Sequence, residues 1–223
     1  MKRLFLAGLL SSVAFGGEIL TNNPAWNNIS TIAAWGNGDA TPTYGQTITV
    51  PTDGNNILNS FTFYVEPGSA MPSINFRAYV QSWNGTQITG SPLFTSGLLA
   101  TNTTAGFSAY TVNPNLALTP GNVYVLYFST IGVTNANTNQ YAFGFTPDTY
   151  AGGAFVYSNQ DMGNPATGSL SDLNANTWNH AIPDDLAFTA TFSSSTPEPQ
   201  TLGMCALGLA VVGLALRRSV RTS

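Results

Sequence analysis

Between residues 40 and 192 apolar side chains recur at every second position in short runs, and that period suits only one kind of element. Phe61, Phe63 and Val65 alternate with Thr62, Tyr64 and Glu66; Ile74, Phe76, Ala78 and Val80 alternate with Asn75, Arg77, Tyr79 and Gln81. A strand sends successive side chains to opposite faces, so each run makes a strand with one apolar face. Helical periodicity is almost absent. Gly, Pro, Asn and Asp break the runs about every ten residues, which points to a sandwich or barrel. The runs are 43–50, 57–66, 73–83, 86–89, 92–96, 107–112, 116–119, 122–131, 140–146, 153–158 and 186–192. Asp53-Gly54, Asn84-Gly85 and Pro120-Gly121 are the turn signals between them, and Asn84-Gly85 is a two-residue hairpin. Residues 123–128 are apolar on both alternating sets, which predicts a central strand covered on both faces. The expected fold is an all-β, antiparallel β-sandwich of about ten strands over residues 40–192.

Both ends of the chain have a different character. Lys2-Arg3 precedes a mostly apolar stretch, and Ala14-Phe15-Gly16 places small residues where a signal peptidase reads them. Residues 1–16 are therefore expected to be a signal peptide in helical form, cut after Gly16. Residues 17–39 form a lead-in to the sandwich, and 193–196 a polar linker out of it. The tail, 197–223, begins Pro197-Glu198-Pro199 and runs uncharged from 202 to 216 before Arg217-Arg218. As a helix that run is about 22 Å long, short for a bilayer core of about 30 Å, yet flanking polar residues and snorkelling arginines extend it. It is expected to be a short transmembrane helix, 202–216, with its arginines on the cytoplasmic side.

Charge narrows the partners. Of six basic residues, only Arg77 lies between 17 and 196, against nine acids, a net of −8. One cation cannot neutralise a phosphate backbone, so nucleic acid is excluded as a partner. The only cysteine, Cys205, lies in the tail, which leaves the exported part without disulfide, thiolate or cysteine metal site. Asn, Thr, Ser, Gln and Gly must keep that part soluble, a surface suited to neutral sugars and common in secreted β-proteins generally.

Two resemblances follow. Pro197-Glu198-Pro199, the apolar run and Arg217-Arg218, in that order at the extreme C-terminus, resemble the PEP-CTERM sorting signal of Gram-negative bacteria. That resemblance implies an exosortase-type processing enzyme cutting near Pro-Glu-Pro, transient anchoring in the inner membrane, and transfer to the cell surface or beyond. It also implies a link to exopolysaccharide and so to a biofilm matrix. Gly45-Gln46-Thr47-Ile48-Thr49-Val50, Leu58 to Tyr64, Phe76 to Val80 with Trp83-Asn84-Gly85-Thr86, and Leu118-Thr119-Pro120-Gly121 resemble the jelly-roll domains of exported bacterial proteins. Such domains are similar in architecture to carbohydrate-binding modules.

Candidate sites were weighed against plainer roles. Aromatic rings bury the C–H-rich faces of sugars, and Trp83 at the hairpin tip and Trp178 in the long loop 158–183 are the candidate platforms. Tyr79 and Tyr64 stand on the polar phase of their strands; for all four the alternative is ordinary packing. Trp26 and Trp35 precede the clear pattern and are read as covers for one end of the core. Asp161, Asp172, Asp184 and Asp185 lie in or beside the long loop and offer hard oxygen ligands for calcium. The jelly-roll resemblance makes Asp185 the lead ligand of such a structural ion. His180, the only histidine, lacks the companions of a zinc site or a catalytic triad. A hydrolase would need two carboxylates about 5–9.5 Å apart. The exported part offers only two glutamates, Glu18 and Glu66, with Glu18 in the lead-in. The reading is a non-enzymatic surface or matrix protein of structural or glycan-binding role; the alternative is a secreted glycan hydrolase.

Overall fold

A computed structural model describes residues 17–67, 69–180 and 184–194. The expected signal helix, its cleavage residues Ala14 and Gly16, and the whole tail with Pro197, Glu198, Pro199, Arg217 and Arg218 lie outside the described residues. The described chain runs β1 (Glu18–Thr21), β2 (Thr31–Gly36), β3 (Thr43–Thr49), β4 (Asn55–Glu66), β5 (Asn75–Trp83), β6 (Ile88–Thr95), β7 (Leu99–Ala100), β8 (Ser108–Val112), β9 (Leu116–Ala117), β10 (Val123–Ser129), β11 (Gln140–Pro147) and β12 (Phe155–Ser158). A short helix α1 (Leu170–Ala175) and strands β13 (Asn179–His180), β14 (Asp184–Leu186) and β15 (Phe188–Ser194) follow.

The strands form two antiparallel sheets facing each other, a jelly-roll-like sandwich. The first sheet has the path β1-β15-β4-β11-β14, with β8 and β9 on β4 and β2 on β11. The second runs β13-β12-β3-β10-β5-β6, with β7 on β5. Between the sheets, alternate residues interdigitate. Phe61 and Phe63 of β4 meet Phe128 of β10, with ring centroids 6.2 and 5.1 Å apart, and Phe76 lies 4.8 Å from Phe128. All four rings are fully buried. These are the positions that the period-two pattern assigned to the apolar face. At about 25 cal/mol per Å² of apolar area removed from water, such rings dominate the folding energy.

The lead-in differs from expectation. Residues 18–36 are part of the sandwich rather than a preface: β1 pairs with β15 from Glu18↔Phe192 to Thr21↔Thr189, and β2 pairs with β11. Trp35 is wholly buried at the centre, edge-on to Phe76 and Phe143 at 5.3 and 5.0 Å, and its Nε1–H donates to Pro42 O at 3.1 Å. Trp26 covers the outer face of the first sheet, lying over Gly144, where an added Cβ would come within 2.6 Å of its ring.

The outer face of the second sheet is also covered. Val125 and Tyr127 of β10 point away from the sandwich core, as does Tyr79 of β5. With Ile88, Ile131, Val156, Leu173 and Trp178 they form a second apolar cluster. Its roof is the segment 158–180, whose Trp178 N–H donates to Thr86 O at 2.9 Å, while Gln87 Nε2 donates to Asn174 O at 2.7 Å. The expected coverage of both faces of residues 123–128 is met in this way.

Between the sheets sits one polar clamp. Gln46 of β3 points inward with Tyr44 and Ile48. Its Nε2 donates to Asp185 Oδ1 at 2.8 Å and its Oε1 accepts from Leu186 N at 2.9 Å. Gly153 allows β12 to approach β3 closely, since a Cβ there would fall 1.7 Å from Thr47 O.

Candidate functional site

The β5–β6 hairpin closes through residues 84–87, where Asn84 N–H donates to Gln87 O at 3.1 Å, rather than through Asn84-Gly85 alone as expected; Gly85 stands at φ +103°, a conformation that favours glycine. Beside it runs the turn 119–122, in which Asn122 N–H donates to Thr119 O at 3.2 Å. The two meet because Tyr124 of β10 is in register with Ser82 of β5. They enclose an open cleft of about 530 Å³, lined by Ser82, Trp83, Asn84, Gly85, Gly121, Asn122, Val123 and Tyr124. No lining side chain carries a charge. Trp83 is half-buried, propped from behind by Trp178 (5.7 Å, 75°) and flanked by His180 (6.0 Å, 72°). A half-buried indole in a cleft that also holds Asn84 and Asn122 offers apolar contact together with hydrogen bonding, the combination a sugar ring uses.

The other predicted aromatics have different placements. Trp178 is 1% exposed, and its Nε1–H donates to Leu173 O at 3.1 Å. Tyr79 is 3% exposed, stacked on Tyr127 at 4.8 Å and 15°. Burial also pushes the Tyr79 hydroxyl up from its ordinary value. Neither ring meets solvent as a platform. The polar phase of β5 faces the roof segment, not water, which is why the expectation of exposure fails for both. Tyr64 is half-buried against Trp26 at 5.0 Å, and its hydroxyl accepts from Asn23 Nδ2 at 2.7 Å.

The four aspartates of the calcium expectation have separate roles. Asp185 is fully buried; Oδ1 accepts from Gln46, and Oδ2 accepts from the N–H groups of Thr149 and Tyr150 at 2.9 and 2.8 Å. Its carboxyl is held above the usual range by burial, partly offset by those three donors. Asp185 thus pins a loop and a sheet, and the expectation that it leads a calcium site gives way to this clamp. Asp172 caps α1, accepting from the N–H and hydroxyl of Ser169 at 2.9 and 2.6 Å, and these bonds lower its pKa. Asp161, at φ +57°, packs against Gly168, and its buried Oδ2 has no partner among the described residues. Asp184 is half-buried on β14, opposite Pro147. Among the described residues no three His, Cys, Asp or Glu side chains converge as a metal group.

One carboxylate pair was not foreseen. Glu18 and Asp53, 35 residues apart in the chain, both line a second open cleft of about 420 Å³ with Thr49, Thr52, Tyr150 and Gly152. Burial, then the charge of Asp53, pushes Glu18 up. The backbone and side-chain amides of Asn55 hold Asp53 down, with a lesser contribution from Glu18. Only the long-range pairing of β1 with β15 creates it, so no local signal reveals it.

A PEP-CTERM protein-sorting motif is found over residues 195–219. No curated protein matches the chain. Two solved structures are similar. One is a clostridial cysteine protease, Cwp84, after propeptide cleavage, at 14% identity and TM-score 0.46, covering 80% of this chain and 40% of that one. The other holds the cysteine protease and lectin-like domains of a surface layer associated protein of Clostridium difficile, at 14% identity and TM-score 0.39, covering 70% and 32%. This chain therefore spans less than half the length of the structures it matches. The sorting motif marks an exported, surface-directed protein handled by an exosortase-type enzyme.

Proposed function

We propose that this PEP-CTERM-sorted chain is a non-enzymatic protein of the cell surface or extracellular matrix that meets neutral exopolysaccharide through the Trp83 cleft. Its precursor is anchored in the inner membrane by residues 202–216 after signal peptidase removes 1–16, and it is released near Pro197-Glu198-Pro199. The observation that carries the glycan reading is the half-buried indole of Trp83, in edge contact with Trp178 and His180, in a cleft with no charged lining. Trp83→Ala is expected to lower retention on a neutral polysaccharide gel at least tenfold while the protein stays folded, with a moderate fall in melting temperature because the indole also packs on Trp178. Equal retention of variant and parent, or no retention of either on any glycan, would leave a structural coat protein. Glu198→Gln is expected to accumulate uncut precursor in the membrane fraction; normal processing of that variant would count against release at the motif.

The alternative, a secreted glycan hydrolase, has one observation in its favour, the Glu18–Asp53 pair with its divergent proton affinities. Against it, both oxygens of Asp53 are already engaged by Asn55, whose N–H and Nδ2 donate to them at 2.9 and 2.8 Å. Turnover of polysaccharide that is abolished in Glu18→Gln would favour this second reading.

A further inference from the structure

The sequence contains three Asn-x-Ser/Thr triplets, Asn28-Ile29-Ser30, Asn84-Gly85-Thr86 and Asn102-Thr103-Thr104. In an exported protein such a triplet is the acceptor pattern for an N-linked glycan. All three asparagines are exposed, so access does not separate them. Hydrogen bonding does. At Asn84, Oδ1 accepts from Thr86 N–H at 2.9 Å, Thr86 Oγ1 at 3.1 Å and Gln87 N–H at 3.0 Å. At Asn102, Oδ1 accepts from Thr104 N–H at 3.2 Å and Thr104 Oγ1 at 3.1 Å. At Asn28 nothing comparable exists: the N–H and hydroxyl of Ser30 are both bonded to Asn27.

The difference bears on reactivity. A carboxamide nitrogen is a poor nucleophile because its lone pair is delocalised into the carbonyl. Donors aimed at Oδ1 stabilise the negative charge that gathers there as Nδ2 loses a proton, and the nitrogen lone pair becomes available. Asn84 has three such donors. Its Nδ2 donates to no described residue, whereas Nδ2 of Asn102 donates to Ser108 Oγ at 2.8 Å. Asn84 also stands at a hairpin tip, where nothing lies within 4 Å of a Cβ built on Gly85.

We propose that Asn84 is a site of N-linked glycosylation, with Asn102 a weaker second site and Asn28 left unmodified. The donor is a lipid-pyrophosphate-linked oligosaccharide, and a transferase on the exported side of the membrane brings the two together. Nδ2 of Asn84 forms a bond to C1 of the first sugar as the C1–O bond to the pyrophosphate breaks. The Nδ2 proton passes to a base of the transferase, and the lipid pyrophosphate leaves with the electron pair. No oxidant or reductant enters.

Peptide mass spectrometry on the full protein, recovered from the cells that make it, tests this. The peptide containing Asn84 is expected to carry a mass increment of whole sugar residues in most molecules, that of Asn102 in fewer, and that of Asn28 in none. Thr86→Ala removes the increment at Asn84, Thr86→Ser retains it, and Asn84→Gln abolishes it. Each variant melts like the parent, because these side chains are exposed. Unmodified Asn84 in every molecule, or occupancy at Asn28 equal to that at Asn84, would overturn the proposal. Asn84 also lines the Trp83 cleft, so a glycan on it would stand beside the indole; the readout is a mass, and its outcome is therefore scored apart from retention on a glycan gel.

Discussion

The two apolar clusters on either side of the second sheet are built on different terms. Between the sheets, Phe61, Phe63, Phe76, Phe128 and Phe143 pack ring against ring, and the clamp of Gln46 and Asp185 is the principal polar intrusion. Under the roof segment the cluster is half polar. The Tyr127 hydroxyl donates to Gln81 Oε1 at 2.8 Å, and Gln81 Nε2 donates to Gly90 O at 2.6 Å and Asn174 Oδ1 at 2.9 Å. Burial is the main hold on the first cluster. The second depends on a hydrogen-bond network as well, because a segment rich in Asn, Gly and Pro brings few apolar groups with it. A partly polar cover is specific in position and modest in strength.

Substitutions should separate the two. Phe128→Ala removes a ring that contacts both sheets and is expected to cost about 3–5 kcal/mol, lowering the denaturation midpoint of the whole sandwich. A purely local loss would break the claim that the inner core is the cooperative unit. Trp178→Ala is expected to cost less, about 3 kcal/mol, and to act locally. Hydrogen exchange should speed up across 158–180 while the amides of β3, β5 and β10 stay protected. Uniform loss of protection would mean that the roof and the sandwich are one unit.

The smallest expected effect is on pH dependence at Asp185. Its folded-state pKa is raised, so its contribution to stability is fully present below the unfolded value and is lost as pH rises through the folded one. The stability difference between parent and Asp185→Asn, from melts between pH 4 and 7, should therefore shift in favour of the parent toward acid. Subtracting the variant removes the opposite trends of Asp53 and Asp172, whose lowered values cost stability as pH falls. A flat difference would show that the donors from Gln46, Thr149 and Tyr150 balance burial, and a reversed one that they outweigh it. At neutral pH the asparagine sets its amide against a donor and is expected to cost about 1–3 kcal/mol.

The sandwich was legible because alternation is a local property. Phe61-Thr62-Phe63 states its facing without reference to the rest of the chain. What an outer face meets is not local. Tyr79 and Tyr64 read as solvent-facing from phase alone, and both are covered, one by the roof and one by Trp26. The double apolar phase of residues 123–128 was the available clue that something must lie on the outside of the second sheet. It did not say what, since Leu170, Leu173 and Trp178 are too sparse in their polar loop to show a pattern. The Trp83 position was readable from Asn84-Gly85, whose turn geometry fixes a hairpin tip. The clamp of Asp185 is not legible for an opposite reason: two of its three donors are backbone N–H groups, which every residue but proline has, and the third, Gln46, is 139 residues away.

The antiparallel match of β1 with β15 has a geometric result for the exported protein. Glu18 lies opposite Phe192, and Ser194 lies opposite Asn55, so the described chain enters and leaves at one pole. Gly121, which lines the Trp83 cleft, borders Thr52 at that same pole. A domain held to a bilayer by either end would therefore turn its cleft toward the lipid headgroups, in the shadow of its own tether. If the tail is the tether and the cleft takes glycan, as proposed, severing the tail would be an unveiling as well as a release.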